Sequence, residues 1–109
     1  MPLEDKRIQI YRTQDYSLVQ TIVCGSEPLK IGFTPAQKIF AEGRRDRIIE
    51  VYEYKGDKYQ QIQLINVTFY IYALVIGPEI LIASGYQKIH IYRSDGTGYS
   101  LDQIIPTPG

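Results

Sequence analysis

Short runs of alternating apolar and polar residues, separated by breaks containing Gly, Pro or Asp, fill the chain. Arg7-Ile8-Gln9-Ile10-Tyr11 sets Ile8 and Ile10 on one face and Gln9 and Tyr11 on the other. That is the period of two of a β-strand. No segment sustains an apolar period of 3.6 with caps at its ends, so the expected helix content is near zero. Lys55-Gly56-Asp57 and Ser94-Asp95-Gly96-Thr97-Gly98 carry turn chemistry between such runs. The most apolar stretch, residues 67–83, is shorter than the ~20 residues of a membrane-spanning helix. It also carries Glu79 and is interrupted at Gly77-Pro78. Its β-branched and aromatic residues predict two strands joined by a Gly-Pro-Glu turn.

The pattern repeats. Asp5-Lys6-Arg7-Ile8-Gln9-Ile10-Tyr11, Asp46-Arg47-Ile48-Ile49-Glu50-Val51-Tyr52 and Tyr86-Gln87-Lys88-Ile89-His90-Ile91-Tyr92 share the ending Ile-x-(Ile/Val)-Tyr, at spacings of 41 and 40 residues. Each is followed by a second shared phrase: Tyr16-Ser17-Leu18-Val19-Gln20-Thr21-Ile22, Tyr59-Gln60-Gln61-Ile62-Gln63-Leu64-Ile65 and Tyr99-Ser100-Leu101-Asp102-Gln103-Ile104-Ile105. Between them, residues 29–43 align with residues 71–85. Both segments read as an apolar run, a turn with Pro, a second apolar run and Ala-x-Gly. A full unit therefore holds four short strands, a to d. The chain reads c-d, a-b-c-d, a-b-c-d: an all-β protein of ten strands, divided at residues 1–25, 26–66 and 67–109. Six of the ten tyrosines are repeat positions.

A four-stranded unit of this period is the blade of a β-propeller. The phrase Gly43-Arg44-Arg45-Asp46-Arg47-Ile48-Ile49-Glu50-Val51-Tyr52-Glu53 resembles the WD-repeat family. Gly43 and Asp46 match its turn, Ile49 and Val51 its strand, and Tyr52-Glu53 stands where the family has Trp-Asp. Phe33-Thr34-Pro35 is similar to the Phe-Ser-Pro that often ends strand a. The departures are plain: the chain has no Trp-Asp and no Gly-His, and between Gly85 and Tyr92 the last repeat is two residues shorter and has no turn Asp. The resemblance implies consecutive four-stranded antiparallel blades in an incomplete propeller. Propellers close with four to eight blades. Three accounts follow: the chain is part of a longer propeller, it is completed by copies of itself or another chain, or it stands as a short open array.

Composition narrows the function. Twelve basic residues balance twelve acidic ones, which argues against bulk electrostatic binding of nucleic acid or an anionic membrane. The charged start of the chain is no secretory signal, so an intracellular, cytoplasmic location is expected. One cysteine, Cys24, permits neither an intrachain disulfide nor a cysteine-based zinc cluster. His90, the one histidine, stands where the other repeats have Gln9 and Glu50, which fits a polar strand position. Ser84, His90 and Asp95 lie near one another in sequence, but no Gly-x-Ser-x-Gly elbow surrounds a serine. No catalytic, cofactor-binding or metal-binding residue is expected.

The one charge cluster is Arg44-Arg45-Asp46-Arg47, in the b–c turn of the middle unit. Arg44, Arg45 and Arg47 are the candidate partner-binding residues, suited to an acidic group or phosphate. Lys6-Arg7 holds the matching place in the first repeat. The WD-repeat resemblance implies a non-catalytic scaffold for protein–protein contacts. The expected partner is a protein or the remaining blades, with self-association through exposed blade edges. The alternative is a piece of a propeller enzyme or ligand-binding propeller whose site lies outside this chain.

Overall fold

A computed structural model describes residues 7–36, 38–96 and 98–107. It contains ten strands: β1 Arg7–Tyr11, β2 Leu18–Val23, β3 Pro28–Phe33, β4 Ile39–Arg44, β5 Ile48–Tyr54, β6 Tyr59–Asn66, β7 Ala73–Ile76, β8 Ile80–Gly85, β9 Lys88–Ser94 and β10 Tyr99–Pro106. No helix occurs among the described residues, and so none is long and apolar enough to cross a membrane. Residues 67–83 hold β7 and most of β8, either side of the Gly77-Pro78 turn. Lys6, of the basic pair at the first repeat, and Thr97, of the 94–98 turn, lie outside the described residues. Asp95 N–H nevertheless donates to Gly98 O at 3.1 Å across that turn.

All pairing is antiparallel and joins strands adjacent in sequence. The result is one two-stranded sheet, β1-β2, and two four-stranded meanders, β3-β4-β5-β6 and β7-β8-β9-β10. We call these the first, second and third sheets; they stack face to face and do not close into a ring. The slab measures 44 × 41 × 20 Å, about as thick as one strand is long.

A bulge confirms the repeat at single-residue resolution. Tyr11 pairs with Leu18 and Ile10 with Gln20; Tyr52 pairs with Gln61 and Val51 with Gln63; Tyr92 pairs with Leu101 and Ile91 with Gln103. Each d strand skips one residue at the same repeat position, and a Gln follows the skipped residue. One extra residue on one strand bends it and adds twist.

Central strands carry apolar residues on both faces because sheets cover them from both sides. One core forms between the first and second sheets from Ile8, Ile22, Cys24, Phe40 and Tyr52. Phe40 stacks on Tyr52 with ring centroids 4.8 Å apart and meets Tyr59 edge-on. The larger core lies between the second and third sheets. It joins Ala41, Ile49 and Val51 to Val67, Phe69, Ile71, Ile76, Leu81, Ala83, Tyr92 and Tyr99.

The Ala-x-Gly alignment is off by one place. Glu42 pairs with Glu50, whereas Ala83 pairs with His90. Glu50 and His90 are equivalent, so Glu42 corresponds to Ala83 and Arg44 to Gly85. The cause is turn length. β4 and β5 are joined by residues 45–47, but β8 and β9 only by Tyr86 and Gln87. Of the two residues missing from the last repeat, one leaves the turn and the other is absorbed as a one-place slide of β8.

Candidate partner-binding surface

The 44–47 turn separates its arginines. Arg44 ends β4 and points inward, nearly buried. Its Nε and Nη2 fork the Asp46 carboxylate at 3.1 and 2.6 Å, and Nη1 lies 3.3 Å from Glu50 Oε1. This planar bidentate grip suits a guanidinium and locks the turn. Arg45 is exposed, 3.6 Å from Glu27. Arg47 is exposed and holds φ of 68°, the left-handed conformation that closes a three-residue hairpin loop. Its guanidinium lies over the Tyr70 ring, 5.6 Å from the centroid. Thus Arg45 and Arg47 face solvent, while Arg44 is engaged by Asp46 of its own turn and by the buried Glu50.

Beneath Arg44 sits a buried polar cluster that sequence reasoning missed. Glu42 and Glu50 face each other across β4 and β5, with exposures of 0% and 4%. Cys24, just after β2, completes the group; its sulfur and one oxygen of each carboxyl lie within 4.8 Å of one another. Tyr52 donates to Glu50 Oε2 at 3.1 Å. Neither Glu42 oxygen meets an N–H donor or a hydroxyl. A proton held by Glu42 and donated toward Glu50 supplies the missing bond. Burial, then the neighbouring Glu50, pushes Glu42 up to about 9, so it stays neutral at physiological pH. Burial first, then Glu42 and Glu50, pushes the Cys24 thiol up to about 12, which suppresses the nucleophilic thiolate. The donors are of kinds that bind cations, but Arg44 already supplies a positive charge there. The signal in sequence was the Glu pair eight residues apart across a hairpin, hidden by the shifted alignment.

His90, the Glu50 equivalent, is buried in β9. Its Nδ1 is 3.3 Å from Tyr92 Oη, and Phe69 meets the ring edge-on at 4.8 Å. Burial, then Lys88, lowers its pKa, which favours the neutral ring. Ser84 pairs with Ile89, and the Asp95 carboxylate accepts from Gly98 N in its own turn, so the two are not gathered around His90.

The repeated Gln residues join sheet to sheet. Gln20 of the first sheet receives a hydrogen bond from Tyr59 N and donates to Tyr59 O, both at 2.8 Å. Gln63 of the second sheet does the same to Tyr99 of the third, at 2.7 and 2.6 Å. Gln103 holds the matching place on the third sheet and is exposed. On that sheet's outer face Ile82, Ile89 and Ile91 are only half-buried, where their equivalents Ala41, Ile49 and Val51 are fully buried.

Stacked antiparallel meanders with one bulge per repeat define part of a β-propeller. No protein-family profile matches the sequence, and no curated protein matches it. Among solved structures, the chain is similar to the β-propeller domain of Cps50 (Swd1) from Myceliophteria thermophila, with a TM-score of 0.78 and 14% identity. The match covers 96% of this chain and 38% of that one. The fold is therefore that of consecutive β-propeller blades, spanning well under half the length of that structure.

Proposed function

We propose that this chain is a non-catalytic protein–protein interaction scaffold, built as a half blade (residues 1–25) and two full blades (26–66 and 67–109) of a WD-repeat-like propeller. The observation that carries this reading is the repeated glutamine clamp. Gln20 and Gln63 each hold the backbone of the next sheet by two hydrogen bonds, and Gln103 presents the same amide on a face whose isoleucines are half-covered. A face shaped like a buried interface calls for another four-stranded blade, on this polypeptide or on another. The chemistry of the interior supports a structural role. Cys24 is a thiol without activation, and His90 is a neutral ring enclosed by Phe69 and Tyr92.

Light scattering on the purified 109-residue chain tests this reading. The expected result is concentration-dependent association that Ile91→Glu abolishes. A monodisperse, folded monomer with a well-dispersed amide spectrum would overturn it.

A further inference from the structure

A second surface lies at the strand ends, away from the blade face. The β6–β7 connection, the β4–β5 turn and the β8–β9 turn enclose a depression of about 380 Å³. Tyr70, Tyr72 and Tyr86 form its walls, each 58–64% exposed, and Phe69, almost wholly buried, lies beneath them. Arg47 and Lys88 stand in the lining, which contains no carboxylate.

Three exposed tyrosines around one depression are a concentration of apolar area that water does not favour. Two of the three elements are fixed. Arg47 and Gln87 hold φ of 68° and 62°, a conformation costing about 1–2 kcal/mol for a residue with a side chain. Arg47 N–H donates to Arg44 O, and Val67 N–H to Arg47 O, so the turn is tied to the strand below and the connection beside it. Gly85 sits where Phe69 packs, and a Cβ there would collide with that ring. Backbone contacts thus position two sides of the pocket before a ligand arrives.

We propose that this pocket binds a short extended segment of a partner protein through an anionic side chain, a carboxylate or a phosphorylated residue. Stacking on Tyr70 restrains the Arg47 guanidinium while leaving its edge available for in-plane donation to two oxygens. Lys88 adds a point charge, and the tyrosine rings cover the flanking residues of the segment. The chain as a whole carries zero net charge, so it offers no bulk attraction for a polyanion. A long polyanion would gain little beyond this pocket, which favours a peptide over nucleic acid.

Fluorescence anisotropy on the 109-residue chain tests the proposal with three labelled peptides: one with a central Glu, one with phosphoserine there, and one with Gln. Either anionic peptide binds, and the Gln peptide binds at least tenfold more weakly, a difference of about 1.4 kcal/mol. Preference between Glu and phosphoserine distinguishes the two sources of the anion. Arg47→Gln and Tyr70→Ala each weaken binding, with circular dichroism confirming the fold, while Lys58→Gln in the β5–β6 turn leaves it unchanged. Equal binding of all three peptides, no binding of either anionic peptide, indifference to Arg47→Gln, or tighter binding of a labelled oligonucleotide overturns it. The pocket is separate from the outer blade face, so Ile91→Glu does not alter this result.

Discussion

The two inter-sheet interfaces use the same repeat positions for opposite chemistry. Between the first and second sheets, Glu42, Arg44, Glu50 and Tyr52 meet Cys24. Between the second and third, the equivalents Ala83, Gly85, His90 and Tyr92 meet Phe69. Volume is exchanged as well as charge. A Cβ on Gly25 would sit 2.7 Å from Arg44 Nη2, and one on Gly85 would strike the Phe69 ring. Where one sheet places a large side chain, the facing sheet offers a glycine, and the two interfaces reverse which side is large. Close packing thus fixes the total volume at a blade junction and leaves its polarity free.

The largest test of this contrast removes the large group from each side. Arg44→Met removes the cation paired with the buried Glu50 carboxylate and should cost about 3–5 kcal/mol in urea denaturation. Phe69→Ala should cost a similar ~3–5 kcal/mol by opening a cavity.

Titration separates the interfaces by sign. In the folded state Glu42 holds its proton up to about 9, against 4.5 ordinarily, so its contribution is complete below pH 4.5 and is lost as pH rises toward 9. The loss should reach on the order of a few kcal/mol, and Glu42→Gln should flatten that alkaline limb. His90 is the reverse. Its depressed pKa gives stability that is present above the ordinary value of 6.5 and lost as pH falls through its folded value. His90→Gln should flatten the acid limb alone. Chemical denaturation across pH reads both; a single slope shared by the two variants would show that the interfaces are not distinct.

The glutamine clamp is common to both junctions and should be nearly equal in the two. Gln20→Ala and Gln63→Ala each remove a pair of hydrogen bonds to backbone and should cost about 1–3 kcal/mol by the same denaturation assay. A large inequality would tie the clamp to the polarity of its surroundings. The smallest effect lies in the turns: Gln87→Gly relieves the left-handed conformation and should raise stability by less than about 1 kcal/mol, as unfolded-state entropy offsets the relief.

The strands were legible because local alternation and the spacing of Tyr11, Tyr52 and Tyr92 encode them directly. Gln20, Gln63 and Gln103 were visible as repeated letters, but the first two find their partners 39 and 36 residues away, which no local pattern reveals. The Glu42–Glu50 pair was hidden because Ala-x-Gly matched two strands one place out of register, and only the turn lengths correct it. Tyr72 read as strand a but lies before β7, so its exposure and its convergence with Tyr70 and Tyr86 depend on the third dimension. Of the three candidate arginines, composition could not separate Arg44, which binds inward, from Arg45 and Arg47.

A glutamine that grips a peptide group reads geometry and ignores identity. Whatever side chain the gripped residue carries, its N–H and C=O remain, so the contact survives substitution of that residue by almost anything except proline. Units joined in this way can drift in sequence while keeping their pitch. A junction can change from charged to apolar, yet the next blade still arrives at the same place.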